Sequence, residues 1–147
     1  MILTVSIAIG LVLGFLFFEW VGFLPGGLVV PGYIALYLDR PLMVASTVTV
    51  SLLSYGLIKC VSCLTILYSR RRFLLMVITG FALQWLFELV VRQTRWVSLE
   101  MDSIGYIIPG LIANEMDRQG VLPTLFTLII LSSMVRLILI ILGYLRI

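Results

Sequence analysis

The sequence predicts an all-α polytopic membrane protein with four transmembrane helices in two tandem repeats. Three observations predict this fold class: an excess of apolar residues, four long apolar segments, and an internal repeat built around a Pro-Gly pair. Of the 147 residues, 62% are hydrophobic and 12% are charged, whereas soluble domains have about 45–50% and about 25%. Because so much apolar surface needs lipid around it, we expect residues 1–147 to form a single transmembrane domain.

Four segments are long and apolar enough to cross a bilayer, which takes about 20 residues. They are residues 2–18, 41–68, 73–91 and 121–145. The first segment lacks the positively charged start and the small-residue cleavage site of a secretory signal, and Glu19 follows it directly. We therefore interpret it as a retained first span.

Two stretches between these segments are apolar but are interrupted by Pro-Gly, at residues 22–38 and 103–113. The two pairs are Pro31-Gly32 and Pro109-Gly110. Broken backbone at membrane depth is tolerated where other protein buries it or where it lines a wet cavity. We expect both stretches to be re-entrant or interfacial elements.

The distribution of charge predicts the orientation. With four spans, the loop Arg70-Arg71-Arg72 shares one face with Arg146, and all seven carboxylates fall on the other face. These carboxylates are Glu19, Asp39, Glu88, Glu100, Asp102, Glu115 and Asp117. Because Lys and Arg concentrate in cytoplasmic loops, we predict that the triple-arginine loop and both termini are cytoplasmic. The loop could also hold acidic lipid headgroups or a partner protein, although a role in topology alone explains it.

The chain contains an internal repeat. Residues 31–40 align with residues 109–118, and six of the ten positions are identical. The preceding apolar segments both end near an acid, Glu19 in the first and Glu88 in the second. We place repeat one at about residues 1–69 and repeat two at about 70–147. Two crossings per repeat would make the repeats parallel and three would make them inverted; the shortness of the second Pro-Gly stretch favours the parallel case.

No residue set in the sequence predicts a catalytic or metal site. The chain has no histidine, the commonest general base, and lacks a phosphate-binding glycine loop ending in Lys-Ser or Lys-Thr. Cys60 and Cys63 form a CxxC inside an apolar helix, but a zinc site needs about four ligands, so we interpret them as small apolar residues. We predict no catalytic residues, no metal and no cofactor of its own. The two Asp-Arg pairs of the repeat are interpreted as local pairs at a helix start.

The candidate functional residues are two cations inside the predicted spans, Lys59 and Arg136. Counted from the inner ends of their segments, each lies roughly 14–15 Å deep at 1.5 Å per residue. A charge at such a depth costs at least about 2.5–3.5 kcal/mol and normally faces a partner or a wet path. In one interpretation they pair with Glu19 or Glu88, or extend to the interface. In the other they face the protein interior and line a route or site for an anionic substrate.

Three blocks of the sequence resemble the PgsC/CapC family of capsule proteins: GLVVPGY at residues 27–33, LYSRRRFLLMVITG at 67–80, and IIPGLIAN at 107–114, which ends at Asn114. Members of this family are small subunits of the bacterial poly-γ-glutamate synthase in the cytoplasmic membrane. The resemblance implies that the chain acts with a Mur-ligase-like, ATP-dependent amide ligase (PgsB/CapB) and an accessory subunit (PgsA/CapA). It also implies that ATP and Mg²⁺ bind to the ligase.

The residues and the resemblance agree on a polyanion, because poly-γ-glutamate carries a carboxylate on every unit and cannot cross hydrocarbon unaided. We therefore expect a subunit that anchors the ligase and helps to pass the polymer across the membrane, in contact with membrane lipids and without nucleic acid. Two other hypotheses stay open at this point. The chain could be an independent secondary transporter for a small anion, or a pure membrane anchor.

Overall fold

The structure is a computed structural model that describes residues 1–66, 68–93 and 106–144. The described residues form six helices and no strand. The helices are α1 (Ile2–Val21), α2 (Val30–Tyr37), α3 (Pro41–Leu64), α4 (Ser69–Gln93), α5 (Ile108–Gln119) and α6 (Val121–Ile141). Three residues used in the charge argument, Glu100, Asp102 and Arg146, lie outside the described part of the chain.

Four of these helices are long and apolar enough to cross a membrane, which confirms the predicted all-helical fold with four candidate spans. The spans are α1, α3, residues Arg70–Gln93 of α4, and α6. In their most apolar windows only 17–39% of residues are buried, so most of each span presents apolar side chains outwards, as a lipid-facing helix does. Two spans end earlier than predicted. α3 ends at Leu64 rather than 68, and α6 ends at Ile141, just before Gly143, whose φ of +79° breaks the helix.

The two Pro-Gly pairs each lie in the first turn of a short helix. Pro31 is among the first residues of α2, and Pro109 is the second residue of α5. Proline suits this position because the first amides of a helix have no partner inside it and the fixed φ is already helical. The Pro-Gly pairs therefore begin helices rather than interrupt them.

The described residues fall into two compact units. Unit one is Met1–Pro41 with Glu115–Ile147, and unit two is Leu42–Asn114. Unit one contains α1, α2 and α6, whereas unit two contains most of α3, α4 and the first turns of α5. Since these units group the helices differently from the predicted repeats, the repeat boundary near residue 69 stays a prediction.

In unit one, α1 and α2 cross at two glycines with their backbones in contact. A Cβ on Gly32 would lie 2.7 Å from the carbonyl oxygen of Ser6, and a Cβ on Gly10 would lie 2.9 Å from the amide nitrogen of Gly32. The Ser6 hydroxyl donates a hydrogen bond of 2.6 Å to the Gly32 carbonyl at the same crossing. Only glycine permits this approach. α6 packs against both α1 and α2, and Ala35 of α2 forms a buried apolar cluster with Val135 and Leu139 of α6.

The segment between α1 and α3 runs the length of unit one. At one end, the Leu24 amide donates to the Gln119 side chain at 2.9 Å, just before α6 begins. At the other end, Asp39 pairs with Arg136, near the end of α6. From residue 121 to residue 136, α6 extends about 22 Å at 1.5 Å per residue. The first Pro-Gly stretch therefore ends beside the start of α1, whereas a re-entrant element would return to the end at which it began.

Unit two contains a second glycine crossing of the same kind. A Cβ on Gly110 would lie 2.6 Å from Cα of Val77, and a Cβ on Gly80 would lie 2.5 Å from the amide nitrogen of Gly110. α5 runs antiparallel to α4 here. Tyr106, just before α5, contacts Glu88, whereas Ala113 within α5 packs on Met76, which is twelve residues closer to the start of α4. Ile58 of α3 completes this buried cluster.

Candidate functional site

Arg136 lies on α6 with its guanidinium partly buried in unit one. Its side chain is 19% exposed, and Nη2 is paired with Oδ1 of Asp39, a side chain that is 60% exposed. The partner is thus Asp39 rather than Glu19 or Glu88. Because α6 ends at Ile141, Arg136 lies about 7–8 Å from the helix end, which is shallower than the sequence suggested.

The second guanidinium nitrogen of Arg136 and a neighbouring hydroxyl are both buried donors without an acceptor. Arg136 Nη1 and Ser132 Oγ make no hydrogen bond with any residue that the structure describes. Ser132 is 1% exposed and precedes Arg136 by one helical turn, so the two side chains share a face of α6. Both groups are hydrogen-bond donors and one of them is positively charged, so their chemistry suits an anionic acceptor.

Ser132 differs from the other hydroxyls of α6 in this respect. Thr124, Thr127 and Ser133 each donate to the carbonyl oxygen four residues earlier, at 2.7, 2.6 and 2.8 Å. This bond is the usual way for a helical serine or threonine to satisfy its hydroxyl in an apolar setting. Sequence reasoning missed Ser132, because four hydroxyls on one helix look alike until their hydrogen bonds are known.

Lys59 is an exposed residue on α3. Its amino group donates to the Tyr55 hydroxyl at 3.0 Å and lies 5.2 Å from the centre of that ring. Tyr55 is four residues earlier on the same helix, so the long lysine stem lies along α3 and does not point inwards. The structure thus differs from the expectation that Lys59 faces the protein interior. Lys59 and Arg136 do share their position, each five residues before the end of its helix.

Glu88 belongs to a second buried polar group, in unit two. It is 8% exposed, and its Oε2 accepts a hydrogen bond of 2.7 Å from the Tyr106 hydroxyl. The Tyr106 ring also packs against Phe81, with the ring centres 5.1 Å apart. Glu88 Oε1 and Gln84 Oε1 are buried without a donor among the described residues. Glu19, by contrast, is exposed. The acids at the ends of the first and third apolar segments, Glu19 and Glu88, therefore have different surroundings.

The Pro-Gly residues and the Asp-Arg pairs lie at helix crossings or in contact with neighbouring side chains. Pro31, Gly32, Pro109 and Gly110 are buried at the two glycine crossings, and Asn114 is half-buried in α5. Arg118, of the second Asp-Arg pair, lies 3.9 Å from Glu115. The first Asp-Arg pair was interpreted as a local pair, but Asp39 reaches Arg136 on another helix.

The basic loop lies at the start of α4, where Arg70 and Arg71 are exposed and Arg72 is half-buried. Exposed guanidinium groups at a helix end can bind lipid phosphates or acidic side chains of another protein. Cys60 and Cys63 are exposed free thiols. Within the described ranges no three His, Cys, Asp or Glu side chains are placed to hold a metal ion.

Comparisons with known proteins agree with one another. A profile described as "Capsule biosynthesis CapC" matches residues 9–125. The chain is 40% identical over 132 residues, 89% of each chain, to the "Capsule biosynthesis protein CapC" of Bacillus anthracis. It is 38% identical over 132 residues, again 89% of each chain, to the "PGA biosynthesis protein CapC" of Bacillus subtilis (strain 168). No solved structure matches the chain.

Proposed function

Because the chain belongs to the capsule biosynthesis CapC family, we propose that it is the membrane subunit of a poly-γ-glutamate synthase and export complex in a bacterial cytoplasmic membrane. In this role it anchors the ATP-dependent ligase (PgsB/CapB), acts with the accessory subunit (PgsA/CapA), and helps the polyanionic product across the bilayer. ATP and Mg²⁺ belong to the ligase.

The observation that carries the export role is the guanidinium of Arg136. A cation in an apolar span costs about 2.5–3.5 kcal/mol at the helix centre and less towards the helix end, where Arg136 lies. Its side chain is nevertheless only 19% exposed, and its acidic partner Asp39, at 60% exposed, leaves one guanidinium nitrogen without an acceptor among the described residues. Binding of an anionic substrate gives the positive charge of Arg136 a role. The polymer offers one carboxylate per unit for such binding.

We also propose that each repeat crosses the membrane three times, which makes the repeats inverted. The support is the path of the first Pro-Gly stretch, which ends beside the start of α1 and covers about 22 Å of a hydrocarbon core of about 30 Å. The antiparallel course of α5 along α4 supports the same number of crossings in repeat two.

This topology fixes the orientation of the ends. α3 starts on the face where α1 starts, since only residues 38–40 separate it from α2, and its 24 residues are enough to cross once. The triple-arginine loop then lies on the face opposite to both termini. With that loop cytoplasmic by the positive-inside rule, the termini and Arg136 lie near the outer surface and Lys59 near the inner one.

The test replaces Arg136 with methionine, which keeps most of the apolar bulk and removes the charge. We expect normal membrane insertion and normal co-purification with the ligase, but little extracellular polymer. Arg92→Met is the matched control, because Arg92 is an exposed cation in the last turn of α4. Full polymer output from Arg136→Met, with normal assembly, would contradict the export role.

The second candidate function is an independent secondary transporter for a small anion, since inverted repeats are common in transporters. It predicts anion uptake by liposomes that contain the purified chain alone. Co-purification with a ligase and no uptake would favour the synthase subunit.

A further inference from the structure

We propose that Arg136 and Ser132 form a binding site for one carboxylate of the polymer, and that Asp39 occupies part of this site when the polymer is absent. This inference rests on the proposed function and adds the residues that recognise the substrate. It starts from two buried donors, Arg136 Nη1 and Ser132 Oγ, that have no acceptor among the described residues.

An unsatisfied donor in an apolar setting is expensive, costing about 1–3 kcal/mol, and more if it is charged. Ser133 avoids this cost by donating to the carbonyl oxygen four residues earlier. Ser132 could make the same kind of bond, but its hydroxyl remains unpaired. Its position one turn from Arg136 on the same face allows a single carboxylate to accept from both side chains. Carboxylates often bind guanidinium groups with two parallel hydrogen bonds, and Nη1 with Nη2 is one pair of donors that can make them.

Asp39 uses only Nη2, so its pair with Arg136 is not the two-bond arrangement. Its side chain is 60% exposed, so it is free to turn away from the guanidinium when a polymer carboxylate arrives. Asp39 acts in this scheme as a tethered competitor. It keeps the guanidinium neutralised in the resting subunit and gives way to a glutamyl unit, after which it can displace that unit in turn. Such competition suits a path that must release what it binds.

The substitution Ser132→Ala distinguishes a binding site from a purely structural role of Ser132. In a purely structural role its hydroxyl makes no hydrogen bond, so Ser132→Ala should leave assembly unchanged and should not lower the stability. The binding-site reading gives the same folding result but weaker recognition of carboxylates. Loss of a hydrogen bond to a charged group, at about 1.5 kcal/mol, corresponds to about ten-fold in affinity.

The experiment measures binding of a short fluorescent γ-linked glutamate oligomer to the full chain in lipid nanodiscs, by fluorescence anisotropy. We expect Ser132→Ala to bind about ten-fold more weakly at a melting temperature that is unchanged or higher, and Ser133→Ala to bind like the unmodified chain. Asp39→Asn should bind a few-fold more tightly, since a weak competing pair is removed, and Arg136→Met should not bind. An oligomer with amidated carboxyl groups is the control for non-specific contact and should not bind either.

Equal affinity of Ser132→Ala and the unmodified chain would overturn the site, as would equal weakening by Ser132→Ala and Ser133→Ala. Weaker binding by Asp39→Asn would overturn the competitor role. Failure of the proposed function gives a different result: cells with Arg136→Met would secrete normal amounts of polymer even though the oligomer binds as described here.

Discussion

The glycine crossing of α1 and α2 allows a quantitative test of the fold. Gly32→Ala places a Cβ 2.7 Å from the Ser6 carbonyl oxygen and 2.8 Å from Cα of Ile7, about 0.8 Å inside a comfortable separation of roughly 3.5 Å. Both neighbours are backbone atoms, so no flexible side chain can move aside and the two helices must separate.

The cost has two parts. Overpacking of a close contact costs about 1–3 kcal/mol, and separation also weakens the 2.6 Å bond between Ser6 and Gly32, worth about 1 kcal/mol. The sum is roughly 2–4 kcal/mol, which corresponds to a fall of roughly 5–15 °C in melting temperature. Gly32→Val should do more, and should abolish polymer production through loss of packing.

The assay is thermal unfolding of the purified chain in detergent, followed by size-exclusion chromatography of the fraction that stays monodisperse. The matched control is Gly56→Ala in α3, where a Cβ meets none of the described atoms within 4 Å. Alanine is the better helix former by about 0.5–1 kcal/mol, so this variant should be as stable as the unmodified chain or more so. If Gly32→Ala melts at the unmodified temperature, or both variants lose the same stability, the crossing is not as tight as described.

The other predictions concern the topology, the buried acid and the absence of catalysis. Single cysteines at Ile2 and Arg71, in a chain without Cys60 and Cys63, should react with a membrane-impermeant thiol reagent from opposite faces, Ile2 from outside; labelling from the same face would contradict three crossings per repeat. Tyr106→Phe removes the hydroxyl bonded to Glu88 and should destabilise the chain by about 1–3 kcal/mol in thermal unfolding, whereas Glu19→Gln, at an exposed acid, should have no effect; equal effects would refute a special role for Glu88. The purified chain should neither hydrolyse ATP nor form γ-glutamyl bonds in product assays, and turnover free of contaminating ligase would refute this.

The four candidate spans could be predicted from the sequence because a lipid-facing helix can be recognised from its length and apolar composition alone. The ends were less certain, since apolar residues continue after the backbone has left the helix. Ile66, two residues after the end of α3, and the turn at Gly143 show this. As a result the distance from Lys59 and Arg136 to the ends of their helices was overestimated from sequence about two-fold, at 1.5 Å per residue.

The partners within the site could not be predicted, because they depend on how helices pack. Asp39 and Arg136 are 97 residues apart in sequence, and their pairing requires that the first Pro-Gly stretch reach the far end of α6. The predicted position of Asp39 on the same membrane face as the other acids stays a prediction. Ser132 and Gln84 are ordinary polar residues by sequence, and only their burial without a partner sets them apart.

The most direct test of the export role is to detect the growing polymer beside Arg136. A photo-crosslinking amino acid at position 39, an exposed position next to the guanidinium, is introduced into cells that are making polymer, and position 92 serves as the exposed control. The account predicts polymer attached to the subunit from position 39 and none from position 92. Active synthesis with no adduct at position 39, or with equal adducts at both positions, would contradict it.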